Sequence, residues 1–580
     1  MLFALPLAAL AQSTAAAKPD AKPGLEPDAI YYDGHFLTGI GLASAAPQRV
    51  SAIAISRGKV LATGTDAAML ASKGPRTRLV DLHGAFALPG LNDAHVHLAG
   101  AGQQKLAVDL TGCKSLAEMQ ERIAAAAAKA APGAWLLGGG WDHTLWASQQ
   151  LPRAADLDEA AHGHPAFFER IDGHIAVANT AALAAAGITA ATPDPQGGKF
   201  DHEASGKPTG IVRERTAVAM VRAKIPPPSM ELRKRALLIA INDALAHGLT
   251  SVQDFSEWDD FLAMEELERA GQLHLRISEW LDFTKPVEEL KREQASHPAD
   301  DPLLHTGMLK GFMDGSLGSR TAALNAAYAD DPGNSGIPRF DQKTLNQMAT
   351  ERAEAGFQLG FHAIGDKAVS MALTAFEVSG QERMKMHSSL LPQLQKPAGE
   401  RVSATPDARN RIEHAQLVAP GDIERMERLG VVASIQPNYI LTDMNWAEQR
   451  LGPDRVKISY PLKTFLDHRI PMAFGTDYPV EPITPFRGIY AAVTRRNEAG
   501  TMSFRPEEKI TVGEALYAYT QGSAYAERRE KMKGTLTPGK LADFTVIDRD
   551  LTAIPPSEIL KITVLRTVVG GETVYSSTVK

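Results

Sequence analysis

The sequence predicts an α/β fold: a (β/α)8 TIM-like barrel with a large insertion after strand 1, plus a small β-sandwich domain built from both termini. Three observations predict it. Apolar runs that end in polar residues alternate with helical stretches, at Asp93–His97, Thr250–Asp254, Arg276–Asp282, Met308–Asp314, Gln358–His362, Arg411–His414, Val431–Gln436 and Pro471–Asp477. Eight such units are what a barrel of parallel βα pairs requires, and barrel enzymes place their chemistry at the carboxyl ends of the strands. Roughly 150 residues separate the first two strand ends, far more than a βα connection needs. Finally, short β-like runs separated by turns cluster at both ends of the chain, at Val50–Ser56 and Lys59–Thr63, then at Asp543–Asp548 and Thr567–Tyr575. A doubly wound open sheet is the alternative, and the lack of a glycine-rich nucleotide fingerprint after the first strand counts against it.

These signals divide the chain into a leader and linker (1–28), an N-terminal part of the sandwich (29–84), the barrel (85–532) with its insertion at about 100–235, and a C-terminal part of the sandwich (533–580). The leader, Met1 to Ser13, is apolar, and Ala9-Leu10-Ala11 offers small residues for cleavage. Export to a periplasm is therefore expected, with a cytoplasmic location as the alternative. The connection 380–409, rich in Pro, Lys and Ser, is expected to be a lid or surface decoration. No later stretch is apolar for long enough to cross a membrane as a helix.

A 580-residue chain that is 44% hydrophobic and 22% charged can bury a substantial core. Its net charge of −7 and the absence of a Lys/Arg-rich run argue against nucleic acid as a partner. The expected partner is a small-molecule substrate, with a second copy of the chain as a homodimer partner. One cysteine, Cys113, leaves neither a disulfide framework nor a thiolate zinc site. A metal would have to be held by His, Asp, Glu or Lys.

The strand ends supply such a set. His95 and His97 lie two apart at a strand end, so both imidazoles project to one side. Lys310, His362, His414 and Asp477 stand at the ends of later strands. Four histidines, a carboxylate and a lysine at one barrel mouth can hold two divalent metals about 3.5–4 Å apart. Protonated lysine is a poor ligand, but its carbamate, formed with carbon dioxide, offers two oxygens able to bridge them. Two cations would lower the pKa of a shared water towards ~7. The resulting metal-bridging hydroxide attacks a carbonyl, and Asp477 is the general acid/base that passes the proton to a leaving amine. Zinc is favoured by the histidines, although manganese, iron or cobalt suit mixed donors.

These residues resemble the ligand set of the amidohydrolase superfamily in its binuclear form. The finer motifs are similar to one branch, amidohydrolase family 3, which includes N-substituted formamide deformylase-like proteins. They are Asp314–Ala323, His362–Asp366, Arg411–Gln416, Ser434–Pro437, Gly475–Val480 and Gly534–Asp548, and the resemblance runs from about residue 29 to the end. It implies that His95, His97 and Asp477 hold the more buried metal, that His362 and His414 hold the second, and that carboxylated Lys310 and a hydroxide bridge the pair. It implies a hydrolase acting on a C–N, amide-type bond. Gly311 departs from the branch, where a branched apolar residue usually follows the lysine and bears on how rigidly it is held. A deaminase of a cyclic amidine or nucleobase is the alternative on this scaffold, though the single-metal forms lack the lysine. A non-catalytic binding barrel is another, against which the complete ligand set counts.

Other residues are weighed as substrate contacts. Asp172 and His174 reach the substrate from the insertion or form a structural turn. Arg320 clamps a carboxylate or fixes its own loop by a salt bridge. Gln436 and Asn438 line the pocket. Trp141, like Trp146 and Tyr478, stacks on an aromatic substrate or packs within the protein. Asp314 orients Lys310 or a ligand histidine. Glu413, on the opposite side of a regular strand from His414, is a barrel-core partner.

Overall fold

The computed structural model describes residues 26–44, 46–390 and 407–578. The apolar leader, with its cleavage pattern, lies outside the described residues. The 380–409 connection does so in part. Its beginning is not a loop: the helix Asp366–Leu390 runs through it.

Eight parallel strands form the predicted barrel: β1 (Leu91–Val96), β2 (Leu249–Asp254), β3 (Arg276–Asp282), β4 (Leu304–Phe312), β5 (Leu359–Ala363), β6 (Arg411–His414), β7 (Val432–Ile435) and β8 (Met472–Phe474). Each pairs with the next in order. A parallel bridge between Val96 and Tyr478 closes the ring, with Asp477 N donating to His95 O at 2.8 Å. Strands covered on both faces read as continuous buried runs, and β1, β2, β6, β7 and β8 are buried at every position. The helices that return the chain carry ordinary end signals. Asp341 caps Gln342–Glu354 through Thr344 N, and Gly430 ends Pro420–Leu429 in the left-handed conformation.

The chain ends form the sandwich. One sheet has four strands, in the order Lys59–Gly64, Ala52–Ser56, Ala29–Tyr32, Arg78–Asp81. The other has six and draws on both termini, with Phe544–Ile547 antiparallel to Phe86–Pro89. Tyr31, Phe36, Ile53 and Phe544 share its core, the rings of Tyr31 and Phe544 meeting edge to face at 4.9 Å. The N-terminal part thus runs on to Pro89, past the expected boundary at 84. Arg276, at the start of β3, makes a two-pronged bond to Asp543 (2.6 and 2.8 Å) and so ties the barrel floor to the sandwich.

A second compact unit comprises residues 97–242 and 256–273, somewhat more than the expected insertion. It has its own six-stranded sheet and its own core. Trp141 lies in that core, fully buried, with Nε1 donating to Phe168 O at 3.0 Å. Trp146 is buried beside it, its indole N–H on Cys113 O at 2.9 Å. The expectation that Trp141 stacks on a substrate is corrected by this burial: both ring and N–H are spent on packing.

Candidate metal centre

The barrel brings His95, Lys310, His362, His414 and Asp477 to one mouth. Lys310 Nζ lies 3.2 Å from His95 Nε2, and Asp477 Oδ1 lies 3.6 Å from the same nitrogen. The His414 ring is 4.5 Å from that of His362 and 5.0 Å from that of His95. His97 follows where β1 gives way to the helix Leu98–Leu106, half-buried at the capping position.

Local backbone geometry makes this convergence possible. Arg411 and Glu413 point into the barrel, so a regular β6 would turn His414 outward. Instead His414 and Ala415 take φ of +74° and +42°, which swings the imidazole back over the mouth. Asp477 likewise sits at φ +60°, just beyond β8. Strain of this kind persists where the surroundings enforce it. At Asp477 they do, through the backbone bond to His95 and through Asp93, whose carboxylate accepts from Thr476 N (2.9 Å), Thr476 Oγ1 (2.6 Å) and His95 N (3.1 Å).

Gly475 explains the small residue in the Gly-Thr-Asp motif. A Cβ there would lie 2.6 Å from His95 N and 2.9 Å from Asp93 Oδ1. Gly475→Ala is therefore expected to cost about 1–3 kcal/mol in denaturant unfolding, because backbone cannot yield as a side chain can. It should also weaken binding of a divalent cation by displacing His95; unchanged stability and unchanged affinity would refute this. Gly311 has a comparable role. A Cβ would meet the ring of Phe361 at 2.9 Å and that of Phe283 at 3.1 Å, so the glycine makes room for these edge-to-face rings behind the strand. Lys310 itself is fully buried, with Nζ 5.2 Å from the Trp280 ring and 5.1 Å from the Phe312 ring.

Partners behind the histidines fix their free nitrogens. Glu413 Oε2 lies 2.9 Å from His95 Nδ1, which turns Nε2 to the mouth. Arg411 holds Glu413 from below through Nε (2.8 Å) and a terminal nitrogen (3.2 Å), while also bonding Ala94 O and Ser434 Oγ. Asp314 Oδ1 takes His362 Nδ1 at 3.1 Å and accepts from Ile364 N, while its Oδ2 accepts from the backbone N–H groups of Ala323 and Gly365. Asp314 thus orients a histidine, one of the two roles expected of it. Tyr439, the first residue of the short helix Tyr439–Asp443 after β7, donates to Asp477 Oδ2 at 2.7 Å.

The electrostatics favour ligands in their binding form. Burial, then Lys310, lowers His95 to about 4, and burial beside His362 holds His414 well below its ordinary value. Burial lowers the Lys310 amine to about 8, against the opposing pull of Glu413 and Asp477. Burial alone would raise Glu413, but Arg411, His95 and Lys310 outweigh it and hold the carboxyl below the usual range. Neutral imidazoles and a carboxylate are what a divalent cation binds.

The donor set fits a metal on two further counts. His95, His414 and Asp477 each offer a ligand atom, all within 4.8 Å of one another. His414 Nδ1 is buried and has no hydrogen-bond partner among the described residues, an expensive state unless something binds there.

The other candidates fare differently. Gln436 is buried with Nε2 3.4 Å from His95 Nδ1, so it lies behind that histidine rather than lining a pocket. Asn438 is also buried, with Nδ2 on Pro482 O at 3.2 Å, and serves as an internal bracket. Arg320 is committed to Asp330 through two bonds (3.0 and 2.9 Å), which fixes the loop and removes it as a free clamp. In the second unit, Asp172 pairs with Arg170 and accepts from His174 N, and His174 Nδ1 lies 2.9 Å from Glu214. Tyr478 OH donates to Asp243 at 2.8 Å. Tyr439 was not legible in advance, since its position depends on the turn after β7. Glu413 carried a signal: Arg411 and Glu413, two apart, share a face.

Over residues 78–575 the sequence matches the amidohydrolase family. It is 32% identical to the protein YtcJ of Bacillus subtilis (strain 168), over 91% of this chain and 96% of that one. It is 27% identical to the N-substituted formamide deformylase of Arthrobacter pascens, over 91% and 95%. The crystal structure of an uncharacterized metal-dependent hydrolase from Pyrococcus furiosus superposes with a TM-score of 0.73 at 30% identity, covering 90% of this chain and 99% of that one.

Proposed function

The chain belongs to the amidohydrolase family and is a hydrolase that uses divalent metal; on that premise we propose that it cleaves a C–N bond of amide type in a small molecule. The observation that carries this reading is Asp477, set against the histidine cluster by one carboxylate oxygen and held by Tyr439 through the other. In this reading His95, His97 and Asp477 hold one cation and His362 and His414 a second, with zinc suited to the nitrogen donors. Lys310, its nitrogen bonded to the carbon of carbon dioxide with loss of a proton, would add carbamate oxygens to the donors that hold them. When bound, the two ions make a water acidic enough to attack and polarise the carbonyl it attacks.

The rest falls to the chain. Asp477 takes the proton of the attacking water and returns it to the leaving nitrogen, which an amide needs because its amine departs poorly as an anion. Tyr439 keeps that carboxylate turned to the mouth. Glu413 and Asp314 hold His95 and His362 in one tautomer. Trp280 and Phe312 wall Lys310 from bulk water, and the resulting burial supports carboxylation by favouring the neutral amine, the form that attacks carbon dioxide.

Metal-stripped protein reloaded with zinc, with and without bicarbonate, tests this reading on N-formyl amines, N-acyl amino acids and cyclic imides. With the Lys310 amine at about 8, the reactive neutral fraction grows as pH rises to that value and is nearly complete above it. Recovery should therefore need bicarbonate and, with dissolved carbon dioxide held constant, quicken as pH rises towards about 8 and level off roughly one unit above it. Lys310→Ala should bind less zinc and fail to recover. Full recovery by that variant with zinc alone would overturn the reading.

A further inference from the structure

With Arg320 bound to Asp330, the carboxylate clamp expected of it is missing, and another arginine occupies a better place. Arg339 is anchored by its backbone N–H on Met313 O (2.8 Å) and by its Nε on Asp314 O (3.2 Å). Its guanidinium carbon lies 5.6 Å from the centroid of the Phe312 ring. That ring also lies 5.4 Å from the His362 ring and 5.1 Å from Lys310 Nζ, so one aromatic side chain joins Arg339 to the metal centre. Phe312 follows Lys310 by two positions on β4 and shares its face.

The terminal nitrogens of Arg339 have no partner among the described residues, and its side chain is exposed. Neighbouring arginines are spent. Arg320 and Arg450 share Asp330, and Arg455 bonds the carbonyls of Ala326 and Ala327. An arginine fork that lies over an aromatic ring and is tethered at Nε, with both ends free, is pre-organised for a planar anion. A single positive charge matches a carboxylate better than a doubly charged phosphate.

We propose that Arg339 binds a carboxylate of the substrate, so that the preferred amides are anionic, with the carboxylate a few bonds from the scissile group. This rests on the amide-hydrolase reading above. A carboxylate on the amine side and one on the acyl side present the same chemistry to Arg339, and two probes separate them.

The test compares N-acetylphenylalanine (amine side) and N-phenethylsuccinamic acid (acyl side) with N-acetylphenethylamine, which lacks the carboxylate. Zinc- and bicarbonate-loaded protein should prefer at least one acid over the neutral amide. In Arg339→Gln that preference in kcat/KM should fall by roughly tenfold to a hundredfold, mostly through KM, as for a lost charge-assisted bond. Arg339→Lys should restore part of it. Calorimetric titration of the two acids into metal-free protein gives a second readout, since nothing is hydrolysed there, and the preferred acid should bind more weakly to Arg339→Gln by the same factor. No preference for either acid, or a preference that survives in Arg339→Gln, overturns the inference and leaves the hydrolase reading intact. If no amide is turned over, the hydrolase reading fails, and the titration alone decides the anion site.

Discussion

Asp477→Asn should lower amide turnover by about a thousandfold, within the 10²–10⁴ range of general acid–base groups, while the fold survives. The substitution is clean for a local reason. Asp477 has φ +60°, a conformation Asn tolerates and Ala does not. The bond from its N–H to His95 O and the Tyr439 hydroxyl both find an oxygen in the variant. What disappears is the ability to take a proton and hand it on, together with the negative charge that helps hold a cation. An ester whose alcohol leaves as a stable anion needs no such delivery, so its hydrolysis should suffer much less than that of the matching amide. Equal losses on the two substrates would assign Asp477 to metal holding alone. Amide turnover within tenfold of wild type would remove it from the chemistry.

Glu413→Gln should produce the largest loss of stability. Glu413 is fully buried between Arg411, which is 1% exposed, and His95. Removing the charge leaves the guanidinium buried without a counter-ion, at a cost of about 3–5 kcal/mol. It also weakens the acceptor that fixes His95 in one tautomer, and such partners are worth roughly 10–100-fold in metal affinity. Denaturant midpoints of metal-free protein and zinc competition assays read the two effects separately. The pH dependence has a definite sign. The folded-state carboxyl lies below its ordinary value, so its stabilisation is present above the unfolded-state value and is lost as pH falls through the lower, folded one. The gap between wild type and Glu413→Gln should thus stay wide at neutral pH and begin to close only below the ordinary glutamate range. A gap that is constant into strong acid would mean that the loss comes from packing instead.

The barrel was legible because its strands are buried on both faces. Each is an apolar run, and the polar residues that stop it, such as Asp254 or Lys310, mark the end where chemistry gathers. The backs of the ligands were harder to see. Strand alternation alone sends His414 and Glu413 to opposite sides, and only the positive φ at His414 and Ala415 lets both serve the same centre. Arg320, Gln436 and Asn438 had the right chemistry near the right strands. Their partners, Asp330, His95 and Pro482, lie far enough along the chain that no local pattern reveals them. Trp141 shows the same limit: a glycine-rich approach followed by an indole reads equally well as a platform or as core. Tyr439 depends on where one short turn after β7 places a ring.

The seam between the first and last strands has a consequence for synthesis on the ribosome. Asp93 and Thr476, 383 positions apart, are bonded partners, and His95 receives Asp477 across the same junction. Chains emerge N-terminus first, so His95 waits exposed until nearly the whole barrel has been made. A cation captured earlier would meet an open, water-rich set of imidazoles rather than a closed nest. Loading is therefore expected to follow ring closure, and a nascent chain halted before residue 477 should exchange a divalent cation more freely than the finished protein.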